Sequence, residues 1–253
     1  MANPFIISPM KCRGLGWLPS HTLDFAADQP LVPLHAGEMA EAAFSMPLAL
    51  ASLGGTWQLV GVCGLTSERN VFIKQGQWLG QYRPQWLTTW PFDVLKAGDR
   101  RVVTFDQASN LLSEQSGEPF FDDKGQPCGR TAEIIATLKA SWGKQQTTQS
   151  AVAALYEAGL LTPWPESLQS RVGMTMPEVH MVDERRLAAL DDTAFLKLRA
   201  SQALPVAYAV NLSLSQAHLL ARMARHNPGT EAMQEGFERL FADNDDLIFD
   251  FDQ

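Results

Sequence analysis

The run PLALASLGGTWQLVGVCGL, residues 47–65, decides how the rest of the chain is read. It sits inside a longer stretch, Ala42 to Ser67, that carries no charged side chain. That length would suit a membrane span, but Pro47, Gly54, Gly55, Thr56 and Gln58 interrupt it. Two strands fit better, Pro47 to Ala51 and Thr56 to Leu65, joined through Leu53-Gly54-Gly55. With almost no polar residues, both strands are expected to be buried on both faces.

Upstream, residues 1–29 read as an irregular arm punctuated by Pro, Gly, Ser and Asp. Leu31 to His35 is a short apolar strand, and Gly37 to Phe44 makes one or two helical turns led by Glu38 and Glu41. Downstream, Asn70 to Lys74 is a strand that ends in a turn at Gly76. Trp78, Tyr82 and Trp86 recur at helical spacing, which predicts one aromatic helical face. Pro84 suits a first helical turn, and Trp90-Pro91-Phe92 forces an extended exit. Arg100 to Asp106 alternates as a strand. Ser113 to Gly129 is a loop with a central turn at Asp122-Asp123-Lys124-Gly125.

After Gly129 the pattern turns helical. Ile134, Ile135, Leu138 and Trp142 mark one amphipathic helix, and Val152, Leu155 and Tyr156 the next. Thr148 is the expected N-cap of the second and Gly159 its stop. Pro163 to Pro177 is an irregular link. Short helices follow from Asp183 (Leu187, Leu190) and from Asp192 (Phe195, Leu196, Leu198). Pro205 to Val210 is a strand or a helix start. Ser213 to Arg225 is a helix, and a last one opens at Thr230 with Met233, Phe237, Leu240 and Phe241 inward. Strands grouped before helices predict an α+β fold. Its N-terminal half, residues 1–129, holds short, mostly antiparallel strands. Its C-terminal half, residues 130–253, holds packed helices, the two halves forming one compact unit.

Charge narrows the function classes. The chain has 20 Lys and Arg against 28 Asp and Glu, a formal net charge of −8. Nucleic acid and anionic membrane surfaces are poor partners for that balance. Cys12, Cys63 and Cys128 are odd in number and form no CxxC, so a reducing cytoplasm is expected. Pro4 and Pro9 break the N-terminal apolar run and its cations follow it, unlike a secretory leader.

No phosphate-cradling glycine loop, nucleophile elbow or HExxH stands in the sequence. Of His21, His35, His180, His218 and His226, only the last two share an expected helix, eight residues apart. Surface or capping roles are therefore favoured over metal ligation, and no metal or cofactor is implied. Asp122 to Gly125 and Asp243 to Asp246 lack the alternating ligands of a calcium loop and read as acidic turns. Residues 131–164 have the outline of a helix-turn-helix linked by Gly143 to Thr147, as in winged-helix DNA binders. Its second helix, Thr148 to Leu161, has no Lys or Arg, which argues against a DNA-reading role. The Trp78, Tyr82 and Trp86 face suits either a small-molecule pocket wall or a core.

At these residues the chain resembles the SapC family, over about Leu31 to Arg225. The resemblance rests on Val32-Pro33-Leu34 with Glu38, then Pro47, Gly64-Leu65 and Asn70-Val71-Phe72. It continues through Gly76, Trp78, Tyr82, Pro84, Pro91 and Phe92, then Phe121-Asp122 with Gly125. Gly159-Leu160-Leu161, Val182-Asp183-Glu184 with Leu187, Tyr208-Ala209 and Leu212-Ser213-Leu214 complete it. The family pattern has an arginine and a tyrosine before the Pro-Phe pair, where Thr88, Thr89 and Trp90 stand here. It often has a histidine where Val210 stands.

The resemblance implies a bacterial protein named after a surface-layer gene cluster, associated with outer-membrane receptors and flavin-dependent halogenase-like proteins. The expectation is a cytoplasmic accessory or binding protein without catalysis of its own. It would serve a cell-surface, nutrient-uptake or tailoring pathway through a protein or small-molecule partner, with no nucleic acid and no membrane insertion. The candidate ligand-binding residues are Asn70, Trp78, Tyr82 and Asp122. The alternative is an enzyme of the same pathway using carboxylates from Glu38, Asp106, Asp122 or Asp183.

Overall fold

The computed structural model describes residues 3–98, 100–176 and 179–227. The helix expected from Thr230 and the acidic segment beyond it lie outside the described residues. The fold is α+β. The charge-free run forms the hairpin at its centre, and the flanking elements are arranged to cover it.

The arm is largely irregular, as expected, but not wholly so. It supplies β1 (Pro4–Ile6) and β2 (Gly16–Trp17). Then come β3 (Leu31–Pro33), α1 (Met39–Ser45), β4 (Leu48–Leu53) and β5 (Thr56–Val62). After these come β6 (Ile73–Lys74), β7 (Gln77–Trp78), α2 (Gln85–Thr89), β8 (Phe92–Ala97) and β9 (Arg100–Asp106). β10 (Leu112–Ser113), β11 (Glu118–Pro119), α3 (Gly129–Glu157) and β12 (Leu161–Pro163) follow. The chain then runs through α4 (Glu166–Val172), β13 (His180–Val182), α5 (Glu184–Ala188), α6 (Asp192–Ala200), α7 (Ala203–Ser213) and α8 (Ala217–His226).

β4 and β5 pair antiparallel with Leu53 opposite Thr56, so Gly54 and Gly55 alone make the turn. Both glycines have positive φ, +59° and +79°, as a two-residue turn of matching twist requires. Leu48 to Ala51 and Leu59 to Val62 are buried without a break, as expected for a strand pair covered on both faces.

The sheet around this hairpin has the order β12-β13-β4-β5-β3, antiparallel throughout. Two of its strands come from the C-terminal half, so that half is not helical alone. Residues 161–163 and 180–182 are too short to show a period and are strands only because β4 offers a free edge. α3 packs on β5, and α7 packs on β4 and β13.

α3 corrects the expected pair of helices. It runs unbroken for 29 residues, and Gly143 to Thr147 lie within it. Gly143 costs the helix only its weak propensity. The Thr147 and Thr148 hydroxyls donate to the carbonyls four residues back, at 3.0 and 2.6 Å. Thr148 is therefore an interior residue and not an N-cap. With no turn there, the helix-turn-helix outline is lost. Gly159, at φ +66°, does stop the helix, with Leu160 N–H donating to the Leu155 carbonyl.

The composition change at Gly129 marks the start of α3 and not the edge of a core. Its first half, Ile134, Ile135 and Leu138, joins a small core with Ile7, Cys12, Trp17, Phe92, Phe105 and Phe120. Trp17 meets Phe92 edge-on at 4.9 Å, and its indole N–H donates to Thr131 at 2.9 Å. The second half, Ala151, Val152 and Leu155, enters the main core with the central sheet and α7.

The aromatic helical face is also corrected. Trp78 lies in the β6–β7 hairpin, turned by Gln75 and Gly76 at positive φ; Tyr82 lies in a loop, and Trp86 in the short α2. Asp183 caps α5 as expected, whereas α6 is capped by Asp191 and not Asp192. Phe195 and Leu196 point outward and Leu198 alone is buried there. Pro205 sits in the first turn of α7. No helix among the described residues is long and apolar enough to cross a membrane.

Candidate functional site

Glu38 is 4% exposed, at the start of α1. A carboxylate at that depth needs partners, and it has three. Its Oε1 accepts from the His35 backbone N–H at 3.0 Å. Its Oε2 accepts from the Tyr82 hydroxyl at 2.7 Å and from the Gln85 backbone N–H at 2.9 Å. Glu38 thus ties the entry of α1 to the loop before α2 and to the first residue of α2.

His35 is buried beside it and is not a surface residue. Its Nδ1 accepts from the Gly37 N–H at 3.1 Å, which places the ring proton on Nε2, 3.2 Å from the Gln85 carbonyl oxygen. The Gln85 amino group donates to Ser141 of α3 at 2.7 Å. The chain of bonds runs from Tyr82 through Glu38 and Gln85 to α3, with His35 braced against both. Every acceptor and donor that His35 and Glu38 need is supplied within it.

This network forms the floor of a cleft of about 630 Å³ beside α3. Trp86 and Trp142 line it as aromatic walls, and Gln58, Gln145, Gln146 and Gln149 supply amides. Asp93 and Lys96 add one charge of each sign. Desolvation raises the Asp93 pKa, against a backbone N–H of Val94 that lowers it, while the residue as a whole stays exposed. A second hollow of about 480 Å³ shares Pro33 and Trp86, but its lining is mostly apolar, with Asp28 its only ionisable residue. The α3 cleft is the better candidate, because polar groups converge there on an aromatic wall.

The expected ligand-binding residues do not meet in one place. Asn70 is buried, with its amide donating to the Gln29 carbonyl and its oxygen accepting from Phe72 N–H, which holds a turn. Trp78 stacks on Phe72 at 5.2 Å and donates to the Tyr82 carbonyl at 2.8 Å. Tyr82 reaches the site through Glu38. Asp122 is exposed on a separate loop and accepts from Lys124 and Gln126 N–H in its own turn. Asp183 likewise serves local backbone N–H groups, and Asp106 accepts from the backbone N–H of Ala108 and of Asn3. Among the described residues no cluster of three or more His, Cys, Asp or Glu is placed to hold a metal. His35, Gln85, Ser141 and the glutamines of α3 were not visible as a site in the sequence. Gln145, Gln146 and Gln149 carried the one available signal, a cluster of uncharged amides on a helix whose other long polar side chains are charged.

Several residues that carry the family pattern, Glu38, Trp78, Tyr82 and Pro84, meet in this network or beside it. The SapC family pattern matches residues 8–220 of the 253. The chain belongs to the SapC family. No curated protein and no solved structure matches it. Where this SapC member departs from the usual pattern, Thr88 is exposed and Thr89 lines the cleft. Trp90 stacks on Phe25 at 3.8 Å, and Val210 is buried in α7.

Proposed function

We propose that this SapC member is a cytoplasmic accessory protein that holds a small molecule in the α3 cleft and performs no chemistry on it. The family resemblance supports placing it in a cell-surface, nutrient-uptake or tailoring pathway. One observation carries the reading. The cleft is large enough for a metabolite-sized ligand, yet the ionisable pair at its floor, His35 and Glu38, is bound on all sides by structural partners. A general base must reach a substrate proton, and neither group has an open site to do so.

A second reading, an enzyme of the same pathway, draws on Asp93. Its carboxyl lines the cleft and its pKa is raised, as a general acid or base would require. Metabolite mixtures incubated with the protein separate the two. Unchanged recovery of a ligand that co-purifies with the protein supports binding alone. A product that forms with the native chain and not with Asp93→Asn would replace it with catalysis.

A further inference from the structure

The cleft's glutamines carry hydrogen-bonding capacity that the fold does not use. Gln146 donates through Nε2 to Oε1 of Gln149 at 3.2 Å, leaving the Gln146 carbonyl and the Gln149 amino group open. Gln58 holds the Leu53 carbonyl only at the long limit of 3.5 Å. The Gln145 side chain makes no hydrogen bond to the described residues. Beside them, Trp142 is only 7% exposed and its indole N–H is buried without an acceptor.

A primary amide presents a donor and an acceptor in one plane, and a hydroxyl is both donor and acceptor. Several amides around one cleft therefore match a ligand with several hydroxyls. The charges point the same way. Glu38 and Asp93 are matched by Lys96 of the lining and by Arg101, whose guanidinium lies 4.9 Å over the Trp142 ring, and His35 has its one ring proton on Nε2, so an anion finds no net cation here. An extended peptide would add to a sheet edge, but edge strand β3 is three residues long and ends at Pro33, which has no N–H to offer.

We infer that the cleft takes a neutral, hydroxyl-rich molecule of mono- or disaccharide size. The apolar face of its ring packs on Trp86, and its hydroxyls bond the Trp142 indole N–H and the amides of Gln58, Gln145 and Gln149. This rests on the α3 cleft being the binding site, and it adds the class of ligand. The cleft volume of about 630 Å³ falls within the range of small-molecule sites.

Titration calorimetry of the full chain tests it, with maltose, N-acetylglucosamine and myo-inositol as neutral probes. Glucuronate, trialanine amide and Nile red serve as anionic, peptide and apolar probes. Gln145→Leu and Gln149→Leu remove amides without removing bulk, and Trp142→Phe keeps an aromatic ring, though a smaller one, and removes the N–H. At least one neutral probe is expected to bind, and each variant to weaken it about tenfold, one net hydrogen bond's worth. Matching circular dichroism shows that the variants fold. Binding of only the anionic, peptide or apolar probe, sensitive to the same variants, overturns the hydroxyl-rich class and leaves the cleft as a binding site. Binding of no probe, or binding untouched by all three variants, overturns both.

Discussion

The Tyr82 hydroxyl donates to the buried Oε2 of Glu38 at 2.7 Å, across 44 residues of sequence. Removing it leaves a carboxylate with two donors in place of three. Tyr82→Phe is expected to cost about 1.5–3 kcal/mol at neutral pH, the range for a bond to a charged acceptor. Glu38→Gln breaks more, since one amide cannot accept on both atoms, and is expected to cost about 2–4 kcal/mol. Chemical denaturation reads both.

The same bond sets an alkaline limit. Burial, then the hydrogen bond to Glu38 and the charges of Glu38 and Glu41, push the Tyr82 pKa well above its ordinary value. A folded pKa above the unfolded one stabilises fully below the unfolded value, about 10 for tyrosine, and that contribution is lost as pH rises beyond it. Stability of the native chain should therefore fall more steeply above that pH than that of Tyr82→Phe. Parallel alkaline limbs for the two proteins would count against it.

Asp93 gives a milder case of the same sign. Its raised carboxyl pKa means that ionisation opposes folding, so stability attributable to this group is lost as pH rises through the folded pKa. Because Asp93 is exposed, Asp93→Asn is expected to raise the melting temperature only slightly at neutral pH. The gain should vanish in acid, where the native carboxyl is protonated.

Two glycines predict opposite outcomes. A Cβ at Gly64 would lie 2.1 Å from the Arg69 carbonyl oxygen and 2.5 Å from Cβ of Pro30, so Gly64→Ala forces backbone movement at the end of the central hairpin. A loss of about 1–3 kcal/mol is expected. A Cβ at Gly143 meets nothing within 4 Å, inside the unbroken α3. Gly143→Ala is expected to stabilise by about 0.5–1 kcal/mol. Destabilisation there would argue for a bend at the position where the sequence alone suggested one.

The thiols should separate by burial. Cys63 is fully enclosed, and burial pushes its pKa far up, while Cys12 is also buried and raised by burial. Cys128 is partly exposed, with a pKa raised by desolvation and by Asp122 and Glu118. A thiol reagent on the native chain is expected to modify Cys128 slowly and first, and all 3 cysteines only after unfolding. Fast reaction of Cys63 would show that the central hairpin opens.

What the sequence revealed were the local features. The Gly54-Gly55 turn, the Asp183 cap and the Gly159 stop each depend on neighbours a few residues away, and each is where the pattern placed it. What it hid was set by distant partners. Glu38 finds Tyr82 and Gln85 more than 40 residues on, and β12 and β13 are strands only against β4. Trp78, Tyr82 and Trp86 imitate a helical period by coincidence, because Gly76 turns a hairpin and α2 starts only at Gln85. Gly143 and two threonines imitated a break, which the backbone bonds of those hydroxyls and packing of α3 on two cores overrode.

The central claim, a cleft that holds a small molecule, is tested most directly by native mass spectrometry of the chain purified without denaturation. It is compared with the Gln145→Leu, Gln149→Leu double variant. A noncovalent small-molecule adduct on the native chain, absent from the folded double variant, is predicted. A bare native chain, or an adduct that the double variant keeps in full, contradicts the account.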